Sequence, residues 1–321
     1  MIFLDAFLVM LKNVIVFVLL AVPGVLLVKA KIMNTKESGT ISKLLTYVGL
    51  PFMILTSTLK VTFTKKFAFS MSVVAVFAVL FTLFMLGVSY FLCKGTKDEK
   101  KNGMMRFAMI FPNNGFLGIP LATAVFMKTQ PAVVTFLVVV NIINNLMLLT
   151  LGVALVSCDK SAIRLKKLVI NPVLISFAVG VILNISGIAE KVPQVVDYSG
   201  YYSGIVTALS MVVLGIKLAE VPFGRLFLNA RLYYVSLMRL IVFPVLSVAA
   251  IFLLRLVMPI SDDMVLGLFI AFLMPTAGLA STFADQYGGD TEGGVSYTLG
   301  STILSLGVIP LLYWAVVELL K

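Results

Sequence analysis

The chain has 321 residues, of which 60% are hydrophobic and 12% are charged, and its mean hydropathy is +1.10. Soluble domains are nearer half apolar and a quarter charged, so this composition excludes a soluble globular protein. Because the chain contains no histidine, it also excludes His-based metal sites and Ser-His or Cys-His catalysis, and we expect no metal, no cofactor and no enzyme activity.

Apolar runs of about 20 residues recur along the chain, and this is the length that a helix needs to cross a hydrocarbon core of roughly 30 Å. The first run has no basic region before it and is too long for the core of a signal peptide, so we count it as a span. The pattern predicts an all-α integral membrane protein with ten transmembrane helices, at 7–28, 44–59, 67–92, 104–126, 132–156, 168–188, 200–218, 232–257, 264–283 and 295–320.

The formal net charge of +11 comes from lysines and arginines in short loops between the runs, so we expect no nucleic-acid partner. These basic residues are about twice as frequent on one side of the predicted spans as on the other. Since basic loops stay on the cytoplasmic face, the distribution predicts a multi-pass protein of the cell inner (plasma) membrane with both termini outside.

The fourth and ninth predicted spans share the pattern x-Pro-x-x-Gly, around Pro112 and Pro275. The prolines are 275 − 112 = 163 residues apart, and the fifth and tenth spans start 295 − 132 = 163 residues apart. An odd number of spans per unit inverts the second copy, so we predict two inverted five-helix repeats, 1–157 and 158–321. The alternative is a chance match of two short motifs.

The residues from Phe111 to Pro120 read FPNNGFLGIP in the middle of a span. Proline and glycine disfavour an intact helix there, so we predict broken, crossing helices 4 and 9, with a cavity at the crossing. Half-helix N-termini attract anions. We therefore predict a substrate site at Asn113, Asn114, Gly115, Thr276 and Gly278, with the alternative of a simple proline kink. The predicted helix-breaking residues are Pro112, Gly118, Pro120 and Pro275.

In the fifth span Asn141, Asn144 and Asn145 share one helical face. Asn141 and Asn145 are candidates for substrate binding, and interhelical hydrogen bonding explains the face equally well. The tenth span has a similar polar patch at Ser301, Thr302 and Ser305, for which helix-helix contact is the better interpretation.

Charged residues inside the predicted spans are few. Arg239 is a candidate for an anion or coupling role, or for pairing with Asp285 or a backbone carbonyl. No carboxylate falls at mid-span, which argues against a cation–proton antiporter. Asp197 and Asp285, both near span ends, are the candidate proton carriers. Cys93 and Cys158 lack ligand spacing, so we interpret them as free thiols.

The stretch from Asn113 to Leu121, NNGFLGIPL, resembles the Asn-x-Gly-Phe-x-Gly-x-Pro-Leu motif of the auxin efflux carrier family. That family includes the plant PIN-FORMED carriers and bacterial relatives linked to malate, malonate and similar acids. The resemblance extends over the ten-span layout and implies scaffold helices 1, 2, 6 and 7, transport-unit helices 3–5 and 8–10, an elevator-like motion and a homodimer. Many bacterial relatives have Asn where this chain has Leu279, which leaves the substrate preference open.

These observations favour a secondary active transporter, for efflux or uptake, of small organic anions such as mono- or dicarboxylates, with H⁺ or Na⁺ as a candidate partner and lipid around it. The alternative of the same class is a sodium-coupled symporter of the bile-acid-transporter type. A membrane enzyme is disfavoured because histidine and a paired acid are missing, and a passive channel would lack saturation and counterflow.

Overall fold

The computed structural model describes residues 2–34, 37–93, 97–159, 161, 172–219 and 226–321. Within these ranges the regular elements are helices. They are α1 (Ile2–Lys29), α2 (Ser38–Leu59), α3 (Lys65–Leu92), α4 (Glu99–Ile110), α5 (Asn114–Phe126), α6 (Pro131–Ser157), α7 (Pro172–Ile185), α8 (Ile188–Lys191), α9 (Gln194–Ala219), α10 (Ala230–Arg255), α11 (Asp262–Leu273), α12 (Ala280–Tyr287) and α13 (Thr291–Leu319).

Seven of the described helices are long and apolar enough to cross a membrane. Two further predicted spans are interrupted pairs, α4 with α5 and α11 with α12. The predicted sixth span is α7, which the structure describes from Pro172, and the start of that prediction lies outside the described residues. The all-helical, multi-pass architecture is therefore confirmed, whereas the count of ten and the inverted repeat stay predictions.

π-helical turns interrupt several spans, and most of them precede a proline. Proline lacks an N–H and clashes with the preceding turn, and a widened turn removes this conflict without ending the helix. In the described part of the chain such turns occur at Leu45–Gly49, Asn114–Gly118, Leu148–Gly152 and Met238–Val242, and Pro51, Pro120 and Pro244 follow the first, second and fourth by two residues.

Helices α1, α2, α7 and α9 pack on one another. A Cβ added to Gly215 of α9 would lie 1.9 Å from the Ala21 carbonyl oxygen of α1, so the two backbones are in contact. Thr56 of α2 donates to Ser199 of α9 at 2.8 Å. The Asn184 amide of α7 donates to the Thr58 carbonyl of α2 at 3.0 Å and to the Val61 carbonyl just beyond α2 at 2.7 Å. These helices correspond to predicted spans 1, 2, 6 and 7.

Helices α3 to α6 and α10 to α13 form a second group around α6 and α11. Residues 264–273 of α11 are all buried, and a Cβ at Gly267 would lie 2.8 Å from a side chain of α6. Gly103 of α4 lies against the Leu155 carbonyl of α6, and Thr82 of α3 donates to Asn144 at 3.3 Å. The grouping agrees with the predicted scaffold and transport unit, and the division into these two units stays a prediction.

Candidate functional site

The two interrupted spans meet at their breaks. The Asn113 N–H donates to the Pro275 carbonyl at 2.8 Å, and the Ala277 N–H donates to the Phe111 carbonyl at 2.8 Å. The residues between them form an isolated antiparallel bridge, Pro112 opposite Thr276. Each extended break thus satisfies backbone groups of the other, which removes the cost of leaving them unpaired at membrane depth.

Arg239 of α10 lies under the crossing, fully buried. Its Nε donates to the Met274 carbonyl at 2.8 Å and its Nη2 to the Phe272 carbonyl at 2.6 Å. Its Nη1 donates to the Met109 and Ile110 carbonyls at 3.2 and 3.0 Å. The guanidinium therefore binds the C-terminal ends of both α4 and α11, where helix dipoles place partial negative charge. The sequence suggested either an anion or coupling role for Arg239, or pairing with Asp285 or a backbone carbonyl. The structure describes the pairing with backbone carbonyls. An anion or coupling role stays a prediction.

The break between α11 and α12, around Pro275, also forms hydrogen bonds with α13. The Thr276 hydroxyl donates to the Ala108 carbonyl at 3.0 Å, and its N–H donates to Ser301 at 3.1 Å. Thr298 donates to the Ala277 carbonyl at 3.2 Å. Thr276 is fully buried, so the structure places it in the support of the break. Substrate binding by Thr276 stays a prediction.

A cavity of about 640 Å³ opens on one side of the crossing. Its walls come from both breaks, from α6 and from Thr46, Tyr47 and Leu50 of α2. The structure brings together five of the predicted substrate-binding residues in its lining: Asn113, Gly115, Asn141, Asn145 and Gly278.

A second cavity of about 590 Å³ adjoins the first and shares Asn113 and Gly278 with it. It lies between the crossing and helices α2 and α9, and Lys43 and Lys217 contribute to its lining. Among the described side chains, no carboxylate lines either cavity. The charged side chains in the described lining are therefore both basic.

At the wall of the first cavity, and just behind it, lie buried amides with unused hydrogen-bonding atoms. Asn114 is fully buried, and within the described structure neither its Oδ1 nor its Nδ2 has a partner. The Nδ2 atoms of Asn141 and Asn144 likewise have no hydrogen-bond partner within the described structure, although the Oδ1 of Asn144 accepts from Thr82. Buried polar atoms normally have partners, so this cluster has spare capacity for a water molecule or an ion.

The remaining predicted residues occupy other positions. Gly118 and Pro120 lie within the continuous helix α5, so the interruption itself is at Pro112. A Cβ at Gly118 would lie 3.0 Å from Cγ of Met274, so this glycine permits close approach of α5 to the second break. Asp285 lies on α12, and its side chain is outside the described part of the structure.

Sequence reasoning missed the contribution of α2 and α9 to the site. Tyr47, Lys43 and Lys217 line the space at the crossing, yet both lysines fall near the ends of apolar runs. There they look like topology markers. The signal that the sequence offered was the position of Lys217 inside the predicted seventh span, 200–218.

Comparisons with known proteins agree with this architecture. The family model described as Membrane transport protein matches residues 8–162, and the family model described as Sodium Bile acid symporter family matches residues 204–321. Comparison with curated proteins gives no match. Both matching families consist of membrane transporters, so the protein is a multi-pass membrane transporter. The match at residues 8–162 agrees with the resemblance to the auxin efflux carrier family.

Proposed function

We propose that the protein is a secondary carrier of small organic anions, mono- or dicarboxylates, bound at the crossing of the two broken spans. The observation that carries the proposal is the position of Asn113, whose side chain lines both cavities next to Gly278. An amide offers N–H donors to a carboxylate without the cost of a buried charge. Volumes of about 640 and 590 Å³ are in the range of small-molecule sites.

The charge distribution supports an anionic substrate. Helices α5 and α12 begin beside the crossing and direct their N-terminal ends, which carry partial positive charge, toward it. The opposing C-terminal ends of α4 and α11 are covered by Arg239. Lys43 and Lys217 add two positive side chains to the lining. A cation in this space would meet donors and positive charge, whereas a carboxylate would be stabilised.

The transport cycle that fits this site is an elevator-like motion of helices 3–5 and 8–10 against the scaffold of helices 1, 2, 6 and 7. The two packed groups of helices support this division, as does the sharing of the cavity lining between them. Ten spans in two inverted repeats, a homodimer through the scaffold and termini outside the plasma membrane belong to the same proposal. It rests on the family resemblance together with the crossing geometry.

The test is uptake by proteoliposomes of a panel of labelled mono- and dicarboxylates, comparing the native protein with Asn113→Ala. Loss of a hydrogen bond to a charged group weakens binding about 10-fold or more. We therefore expect saturable uptake by the native protein and a half-saturating concentration raised by about that factor in Asn113→Ala. An imposed pH gradient reports proton coupling.

Gln286→Ala is the matched control, because Gln286 is an exposed amide on α12 that does not line either cavity. Its uptake should equal that of the native protein. Counterflow of unlabelled acid distinguishes a carrier from a passive channel. If a folded Asn113→Ala protein has the same affinity for substrate as the native protein, the substrate does not bind at the crossing.

Sodium-coupled symport is a second candidate, favoured by the Sodium Bile acid symporter match at residues 204–321 and by the unpartnered amides of Asn114 and Asn141. Of the unpartnered amide atoms, the Oδ1 of Asn114 is the one that can ligate Na⁺, since the unpartnered atom of Asn141 is a donor. This candidate predicts that replacing Na⁺ with choline abolishes uptake, and that Asn114→Ala raises the Na⁺ concentration needed for half-maximal uptake. Uptake that is equal in the two salts would exclude it.

A further inference from the structure

Lys217 joins a predicted scaffold helix to the break of the other group. It lies in the last turn of α9, and its Nζ donates to the Gly278 carbonyl at 3.3 Å. The Asn113 amide lies against the same residue, since a Cβ at Gly278 would be 3.3 Å from Nδ2 of Asn113. The ammonium and the candidate substrate ligand therefore both lie at Gly278.

The ammonium of Lys217 has no charged partner among the described residues. The ion pairs found there join other residues, on the outer parts of the molecule. Lys217 is partly buried, and the described cavity lining around it contains Lys43 and no carboxylate. A charge that is withdrawn from water is costly unless it is paired. The position is thus suited to an anion that enters the cavity.

We propose that Lys217 is a specificity-determining residue that links binding to motion: its ammonium holds the Gly278 carbonyl when the cavity is empty and transfers to the substrate carboxylate when the cavity is filled. This inference rests on the proposed function. It adds to the substrate site a residue of the predicted scaffold, whereas the other proposed ligands lie on the transport unit.

The direction of the exchange follows from hydrogen-bond strength. A bond from an ammonium to a carboxylate is stronger than a bond from an ammonium to a neutral carbonyl. A carboxylate bound beside Asn113 therefore competes successfully for Nζ, and the Gly278 carbonyl loses its contact with α9. The break is then freed from the helix that it contacts in the empty state, and the substrate takes the place of that contact.

Lys217→Met is the informative substitution because methionine keeps an unbranched side chain of similar length and removes the charge. Binding of acetate, malonate, succinate and malate to purified protein is measured by calorimetry, with malonamide as the uncharged counterpart of malonate. We expect binding of the acids to weaken about 10- to 100-fold, and Lys217→Arg to recover most of it. Lys29→Met is the control, since Lys29 is an exposed lysine in the last turn of α1 that lines neither cavity.

Hydrogen exchange of the peptide covering residues 276–280 reports whether the backbone of the break loosens when the Gly278 carbonyl loses its bond to Lys217. In the native protein, addition of the acid that binds should speed exchange in this peptide. In Lys217→Met the exchange should be fast without any acid and unchanged by its addition, whereas Lys29→Met should behave like the native protein.

The outcomes separate this inference from the proposed function. If native protein binds an acid and Lys217→Met binds it with the same affinity, the role of Lys217 is wrong and the anion carrier stands. Weakened binding with native-like exchange in the variant contradicts the transfer. If the native protein binds none of the four acids, both proposals fail.

Discussion

Arg239→Gln is expected to destabilise the protein by at least about 3 kcal/mol and to abolish transport. The guanidinium donates to four backbone carbonyls from the ends of α4 and α11, with no exposure to solvent. Glutamine is shorter and has two donors, so at least two buried carbonyls lose their partner. Thermal unfolding in detergent, followed by tryptophan fluorescence or by loss of the monodisperse elution peak, measures the change.

The control for this prediction is Arg255→Gln on the same helix. Arg255 pairs with Asp262 at 2.9 Å, and both side chains are more than a third exposed, so this exposed pair contributes about 1 kcal/mol at most. A stable Arg239→Gln protein that still carries substrate would show that the crossing does not depend on the guanidinium. A stable variant with normal unfolding and no transport would instead support the direct anion role predicted from the sequence.

Gly215→Ala is expected to disrupt the contact between α1 and α9, at a cost of about 2 kcal/mol or more. The added Cβ would lie 1.9 Å from the Ala21 carbonyl oxygen and 3.1 Å from the Val25 nitrogen. These are backbone atoms, so the helices must move apart, and close backbone approach at small residues is what drives helix association in a membrane. The thermal midpoint and the yield of folded protein are the readouts.

Gly200→Ala provides the comparison within the same helix, because a Cβ there meets no atom within 4 Å. We expect its stability to stay within about 0.5 kcal/mol of the native value. Equal stability of the two variants would mean that α1 and α9 do not pack as closely as described. A difference confined to Gly215→Ala locates the effect at the helix contact.

Local chemistry made the breaks predictable. Proline at 112 and 275 cannot continue the helical hydrogen-bond ladder, and this holds whatever surrounds it. The sequence therefore indicated where the helices end, and the matching separations in the two halves indicated that the breaks meet. The asparagine face of α6 was equally visible, because helical spacing alone brings Asn141 and Asn145 together.

Long-range placement was not predictable in the same way. Nothing near Arg239 in the sequence indicates carbonyls 129 to 130 residues away as its partners. Lys217 contacts a residue 61 positions further along, and its location at a span end gave it a simpler explanation. Pro120 was predicted to break a helix, yet the π-helical turn before it accommodates the ring within a continuous α5.

Hydropathy recognises the unbroken spans more readily than the interrupted ones. Helix α4 begins with Glu99, Lys100 and Lys101 and has Arg106 in its interior, while α5 extends only from Asn114 to Phe126. Neither half is both long and apolar. The sequence still predicted both interrupted spans, at 104–126 and 264–283, because the apolar run continues across each break.

The hydrogen bonds from Arg239 to the ends of two helices have a consequence for the proposed transport cycle. Because one side chain joins the ends of α4 and α11, and the backbone bridge joins the two breaks, neither break can shift without the other. In the proposed elevator motion, the ligands that the two breaks supply therefore travel together. The affinities for cargo on the two faces of the membrane then differ only through what the fixed helices, such as α9 with Lys217, add to the site.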